Sequence, residues 1–217
     1  MSLVLSIVGF VIVGLLGLFF YFAYFVRKLG TPTKGARIDK RVRPNEALVV
    51  IDVQEDFTRN TGKTAFDPEV RDAALDEINR MISVARSSGH EVVFVRNVFR
   101  DWPVIQLMKL VANGIGTPGR EGLKFDRNLE IRDAPVFEKS IGDTFSNPDF
   151  ESFLAKREIG RLTLVGLDAC HCVQLTAKGA LSRGYDVEIR EPATLTATPA
   201  KWTSLKQDLT KAGAAIA

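Results

Sequence analysis

Few residues in this chain of 217 are cysteine or histidine: only Cys170, Cys172, His90 and His171. Two cysteines separated by one residue exclude a disulfide scaffold, because that spacing seldom reaches disulfide geometry without strain. No distant ligand cluster joins Cys170, His171 and Cys172, so a four-ligand zinc site is excluded as well. With 17 glycines and 9 prolines the chain is neither collagen-like nor of low complexity. The most informative absence is of charge. None of the 29 Lys and Arg or the 26 Asp and Glu precedes Arg27. The averages of 46% hydrophobic and 25% charged therefore blend two unlike pieces.

Residues 3–26 read LVLSIVGFVIVGLLGLFFYFAYFV, with only Ser6, Gly9, Gly14 and Gly17 outside the hydrophobic class. As a helix this run extends about 36 Å, enough to cross a hydrocarbon core of about 30 Å with some tilt. Tyr21 and Tyr24 stand near the end that meets Arg27 and Lys28, where interfacial anchors belong. A cleaved secretory signal fits less well: no basic residue precedes the run, it is too long, and no small-x-small site follows. Residues 1–26 are thus expected to form a transmembrane helix and to bind a lipid bilayer through residues 3–26. Between Arg27 and Arg43 stand seven basic residues and one acid, Asp39. The positive-inside rule places that flank, and everything after it, in the cytoplasm as a single-pass protein. Residues 27–43 are either a contact for anionic lipid or a solvated linker; the two roles are compatible. Gly30, Pro32, Gly35 and Pro44 argue against regular structure, so residues 27–45 read as a basic juxtamembrane tether.

From residue 46 on, strands alternate with helices. Residues 47–53 (ALVVIDV) form an apolar run closed by a carboxylate, the pattern of a strand buried on both faces. Asp67 and Pro68 open a helix as N-cap and first residue, with Val70, Ala74, Ile78, Met81 and Ala85 as its stripe. Strands follow at 91–95, 136–139, 161–167 and 185–189, and helices at 147–158, 172–183 and 199–212. The expected fold class is α/β: a doubly wound, mostly parallel sheet with helices on both faces, preceded by one transmembrane helix. Ligands of such folds bind beyond the carboxyl ends of the strands. That singles out Asp52, Asn97, Lys139 and residues 168–172.

Three reactive groups fall at three strand ends: Asp52 in VVIDVQEDF, Lys139 in VFEKSIGDTF, and Cys172 in VGLDACHCVQLTAKGAL. A cysteine at a helix N-terminus has its thiolate favoured by the dipole, and a neighbouring ammonium lowers its pKa further. A carboxylate nearby can take the proton. Together with GTPG at residues 116–119, these motifs resemble the isochorismatase-like cysteine hydrolases, which include nicotinamidases and carbamoyl amidohydrolases. The resemblance runs over residues 47–212 and agrees with the α/β reading of residues 46–217.

The resemblance implies Asp52 as general base, Lys139 as cation and Cys172 as nucleophile in attack on a carboxamide or carbamoyl carbonyl. Backbone N–H groups near Asp168 and Cys172 would hold the oxyanion, and a cis peptide would precede the nucleophile turn at Leu167–Asp168. Phe57, Phe145 and, more weakly, Trp102 match pocket-wall positions. The family further implies a small-molecule amide substrate and a homo-oligomer. Nicotinamidases hold a metal through an Asp-x-His pattern and further histidines after the second strand. Here that stretch reads RNVFRD, so no metal or other cofactor is expected. Cys170 is either a buried small residue or a resolving thiol. Arg96 and Arg100 either meet an anionic substrate or are solvated. A non-catalytic anchored module of the same fold, or a vinyl-ether hydrolase acting on isochorismate, stands as the alternative activity. No nucleic-acid partner is expected, because the basic charge already has a role beside a membrane.

Overall fold

A computed structural model describes residues 2–61 and 65–217, and it divides into two compact units after Thr31. The first unit is one helix, α1 (Ser2–Leu29), with Arg27 and Lys28 in its last turn, where cations suit the helix dipole. Its stretch Ile12–Leu29 has a mean hydropathy of 1.6, long and apolar enough to cross a membrane on length and composition.

The second unit is built on six parallel strands: β1 (Asn45–Ile51), β2 (Glu91–Asn97), β3 (Val136–Lys139), β4 (Ile159–Leu167), β5 (Asp186–Leu195) and β6 (Ala215–Ile216). Their order across the sheet is β3-β2-β1-β4-β5-β6. The winding reverses between β1 and β4, and that switch point opens a crevice at the carboxyl ends of the strands.

Side chains of β1 alternate between two cores, as the period of a strand demands. Ala47, Val49 and Ile51 face one, with Phe150 and Leu154 of α5 (Pro148–Lys156), Ala177 of α6 (Gln174–Ser182) and Leu209 of α7 (Pro199–Lys211). Leu48 and Val50 face the other, against α3 (Pro68–Ser87), which comes after a single-turn helix, α2 (Glu55–Thr58). Asp67 caps α3 as expected, accepting from the N–H groups of Glu69 and Val70. Its buried stripe starts one turn later than the sequence indicated: Ala74, Leu75, Ile78, Ile82 and Ala85 are buried, Met81 is half-buried and Val70 is exposed.

Two segments depart from the sequence reading. Residues 102–127, where the sequence reading placed no helix or strand, contain α4 (Trp102–Val111) and a 3-10 turn, Glu121–Leu123. α4 buries only Val104, and Gln106 and Lys109 are the polar residues in its ten, few to set against its apolar face. Residues 32–44 lack regular structure except for a turn at Lys40–Val42, but they are no loose tether. Thr33, Ile38, Lys40 and Arg43 all bond to the globular unit, to Asp143, Arg183, Asp186 and Tyr185 in turn. Glycine and proline break helices and strands without preventing a chain from packing.

Candidate active site

Asp52 is the first residue beyond β1. Its backbone turns into the left-handed region (φ 55°) while its N–H still bonds the Val95 carbonyl at 2.8 Å. Asp tolerates this conformation better than a β-branched residue would. Gln54 then locks the turn to the end of β2. It accepts from the Asn97 N–H at 2.6 Å and donates to the Asn97 and Leu123 carbonyls. Gln54 is fully buried and belongs to the IDVQEDF motif, but sequence reasoning assigned it no role.

Lys139 ends β3 with its side chain wholly buried. Its ammonium lies 2.6 Å from Asp52 Oδ2, 3.3 Å from Asn97 Oδ1 and 3.2 Å from Cys172 Sγ. The three strand ends singled out in the sequence thus converge on one ammonium group. Asp52 Oδ1 is buried and has no hydrogen-bond partner, leaving one carboxylate oxygen with acceptor capacity beside the thiol.

Cys172 follows β4 through a close approach of two strands. Gly166 has φ +108°, and a Cβ there would run into the Ile51 carbonyl, so only glycine fits. The Leu167–Asp168 peptide is cis, as the resemblance implied. Residues Ala169–Val173 form one π-helical turn leading into α6. The Asp168 carboxylate clamps it, accepting from the Cys170 N–H at 2.7 Å, the Thr196 hydroxyl at 3.1 Å and the Ala197 N–H at 2.8 Å. The His171 and Val173 N–H groups both bond the Asp168 carbonyl. Cys170 is fully buried, with its sulfur near Thr196 and Thr198, while Cys172 is only half-buried.

Burial pushes the Asp52 carboxyl above the usual carboxylate range, against the opposing charge of Lys139 and the pull of the neighbouring Cys172 thiol. Burial alone would lower the Lys139 pKa, but Asp52 and Cys172 outweigh it and leave the ammonium firmly charged. The Cys172 thiol is pushed up to about 12, first by burial and then by the Asp52 charge, with Lys139 opposing. This corrects the expectation of a low-pKa thiol. Cys172 sits inside the π-helical turn, before α6 begins at Gln174, and the carboxylate beside it outweighs the ammonium.

The expected pocket walls fare unevenly. Phe145 is 4% exposed and belongs to the core. Its ring packs edge-on to Phe150 and against Tyr185, and the Arg183 guanidinium stacks on it at 4.5 Å. Trp102 is 70% exposed at the start of α4 and is not among the walls of the cavity beside that helix. Phe57 is half-buried, packed on the second core and over Gly116. Arg96 and Arg100 both pair with Glu138, which accounts for their charge. A cavity of about 530 Å³ lies beyond Glu55 and Asp56, bounded by Arg59, Ala112, Ile115 and Arg120; Asp52, Lys139 and Cys172 are not among its walls. Among the described residues, no group of three His, Cys, Asp or Glu could hold a metal ion. The stretch closing β2 and following it, RNVFRD at residues 96–101, holds no histidine, and its Asn97 is bonded to Lys139 and its Arg100 to Glu138, so these residues do not fit a metal held by histidines.

Comparison with known proteins agrees with this architecture. An uncharacterized isochorismatase family protein of Bacillus subtilis is 24% identical over 153 residues, covering 70% of this chain and 78% of that one. The solved pyrazinamidase/nicotinamidase of Streptococcus mutans superposes with a TM-score of 0.68 at 22% identity, over 80% of this chain and 100% of that one. The N-carbamoylsarcosine amidase of Thermoplasma acidophilum gives 0.66 at 23% identity, over 79% and 95%. At such identities the two structures speak for a shared fold alone. The isochorismatase domain model matches residues 46–217, and by that match the chain belongs to the isochorismatase family.

Proposed function

We propose that this chain is a membrane-anchored cysteine hydrolase that cleaves a C–N bond of a small amide or carbamoyl compound through a thioester intermediate. One observation carries the reading: a single buried ammonium lies 2.6 Å from Asp52 and 3.2 Å from the half-buried Cys172 thiol. Structural relatives of the fold include a nicotinamidase and a carbamoylsarcosine amidase, which makes amide chemistry the first class to consider.

In this scheme the resting site holds a neutral thiol, a carboxylate and an ammonium. Substrate binding brings a carbonyl carbon to Sγ. The thiol proton moves to the unpartnered Asp52 Oδ1 as the S–C bond forms, so free thiolate never accumulates. The raised Asp52 pKa strengthens it as a base. Lys139 offsets the negative charge throughout. The backbone N–H groups near Asp168 and Cys172 receive the oxyanion, a contribution of about 2.7–4 kcal/mol for a well-placed donor. The intermediate collapses, the C–N bond breaks, and the amine leaves with the proton from Asp52. Asp52 then deprotonates water, which attacks the thioester; the acid departs and Cys172 recovers its proton.

Ammonia release from a panel of small amides and carbamoyl compounds, with Cys172→Ala as control, tests the proposal. Turnover that the substitution abolishes is expected. No turnover of any compound, together with no labelling of Cys172 by a thiol reagent, refutes it.

A further inference from the structure

The segment between the apolar helix and β1 does more than connect. Thr33 directs both its N–H and its hydroxyl to Asp143 Oδ2, each at 2.7 Å. Asp143 is fully buried, four residues after Lys139, and its other oxygen accepts from the Phe145 N–H at 3.0 Å. A buried carboxylate needs such donors, and Thr33 supplies two of the three.

Asp143 in turn touches the helix that follows the nucleophile. Gly179 of α6 has no Cβ because one there would strike the Asp143 carboxylate. The next residue, Thr144, bonds Thr176 of α6 through its N–H at 3.1 Å and its hydroxyl at 3.0 Å. Thr176 lies one helical turn beyond Cys172. The loop that starts at Lys139 and the helix that follows Cys172 are therefore joined at one place, and Thr33 closes that place from outside.

Arg183 fixes Thr33 from the other side. It is 3% exposed and donates to the Thr33 and Gly179 carbonyls, each at 3.1 Å. Its guanidinium is held by Glu151 at 2.9 Å and by the Phe145 ring. Gly35 passes so close that a Cβ would collide with this guanidinium. Further along, the Ile38 N–H bonds the Arg183 carbonyl at 2.8 Å. Thr33, Gly35 and Ile38 are thus seated on Asp143 and Arg183, which is the arrangement of a strap.

We infer that residues 33–38 are a strap belonging to the catalytic site, with Thr33 a positioning residue that sets the Lys139 loop against the Cys172 helix. The inference rests on the proposed roles of Lys139 and Cys172. It makes the proposed hydrolase dependent on its own juxtamembrane segment.

The full chain in detergent or nanodiscs, as wild type, Thr33→Val, Thr33→Ser and Lys40→Ala, provides the test. Two quantities are read: kcat and KM on any amide turned over, and the rate at which methyl methanethiosulfonate labels Cys172. Thr33→Val is expected to lower kcat and the labelling rate about tenfold with KM little changed, since it removes a hydrogen bond to a buried carboxylate. Thr33→Ser restores both, because the hydroxyl returns. Lys40→Ala leaves both at wild-type values, because its ion pair with Asp186 is half exposed. Wild-type kcat and labelling in Thr33→Val overturn the strap while leaving the hydrolase reading intact. So does a Thr33→Ser variant as slow as Thr33→Val. If the wild type turns over no amide, the labelling rates decide alone. If Thr33→Val does not fold, Gly35→Ala takes its place with the same expected fall, and wild-type behaviour there overturns the strap.

Discussion

Replacing Asp52 by Asn should move thiol reactivity and catalysis in opposite directions. Asp52 Oδ2 holds the Lys139 ammonium at 2.6 Å, and the same ammonium is 3.2 Å from Cys172 Sγ. In the wild type the thiol stands at about 12, with the Asp52 charge the second upward influence after burial. Asp52→Asn removes that charge and leaves Lys139 without a competing anion. An opposite charge at this range lowers a pKa by about 1–3 units. A thiolate of lower pKa is also a weaker nucleophile, with a Brønsted slope of about 0.4–0.5, so part of the gain is cancelled. Labelling of Cys172 by methyl methanethiosulfonate at neutral pH should therefore rise about 3- to 50-fold. Amide hydrolysis should fall by about 10²–10⁴, the usual contribution of a general base. Stopped-time labelling read by intact mass, with Cys172→Ala as blank, measures the first; ammonia release measures the second. An Asp52→Asn variant that labels no faster than wild type would refute the electrostatic account of the thiol. One that still hydrolyses amides at the wild-type rate would refute the role of Asp52.

Lys139→Met leaves Asp52 buried without its counter-charge and should destabilise the fold by about 3–5 kcal/mol, measured by urea unfolding. The sign of its pH dependence is fixed. With Asp52 raised further in the folded state, the penalty is absent below the ordinary carboxylate pKa and grows as pH rises through the folded value. Gly166→Ala places a Cβ against the Ile51 carbonyl at a left-handed φ, and should lower stability by about 2 kcal/mol or more. An unchanged urea midpoint would show that β1 and β4 do not approach as described. The full chain should resist alkaline carbonate extraction from membranes, and a chain lacking residues 2–29 should be released. Release of the full chain would remove the anchor from the account.

Much of the fold was legible because its signals are local. Apolar runs closed by a turn marked β1 and β4, and Asp67 with Pro68 marked the start of α3. Asp52, Lys139 and Cys172 were legible as a set because each lies at or beyond the end of a strand, and in a parallel sheet strand ends gather at one edge. Side-chain direction was not legible. Phe145 lies in a family motif, yet its ring turns into the core under Arg183, a choice made by residues distant in the chain. The seating of Thr33 on Asp143 spans 110 positions and leaves no periodic trace. The thiol pKa was misjudged for a similar reason: charge neighbours can be read from motifs, but depth of burial depends on how the whole sheet closes around them.

The most direct measurement is the capture of the covalent intermediate itself. The full chain is mixed with an amide found to be turned over, quenched in acid within one turnover, and weighed by intact-mass spectrometry with fragment mapping. The expected result is an acyl adduct on Cys172, absent from Cys172→Ala and decaying as free acid appears. Turnover at the wild-type rate by Cys172→Ala, with no adduct on the wild-type chain, would contradict cysteine catalysis at this site.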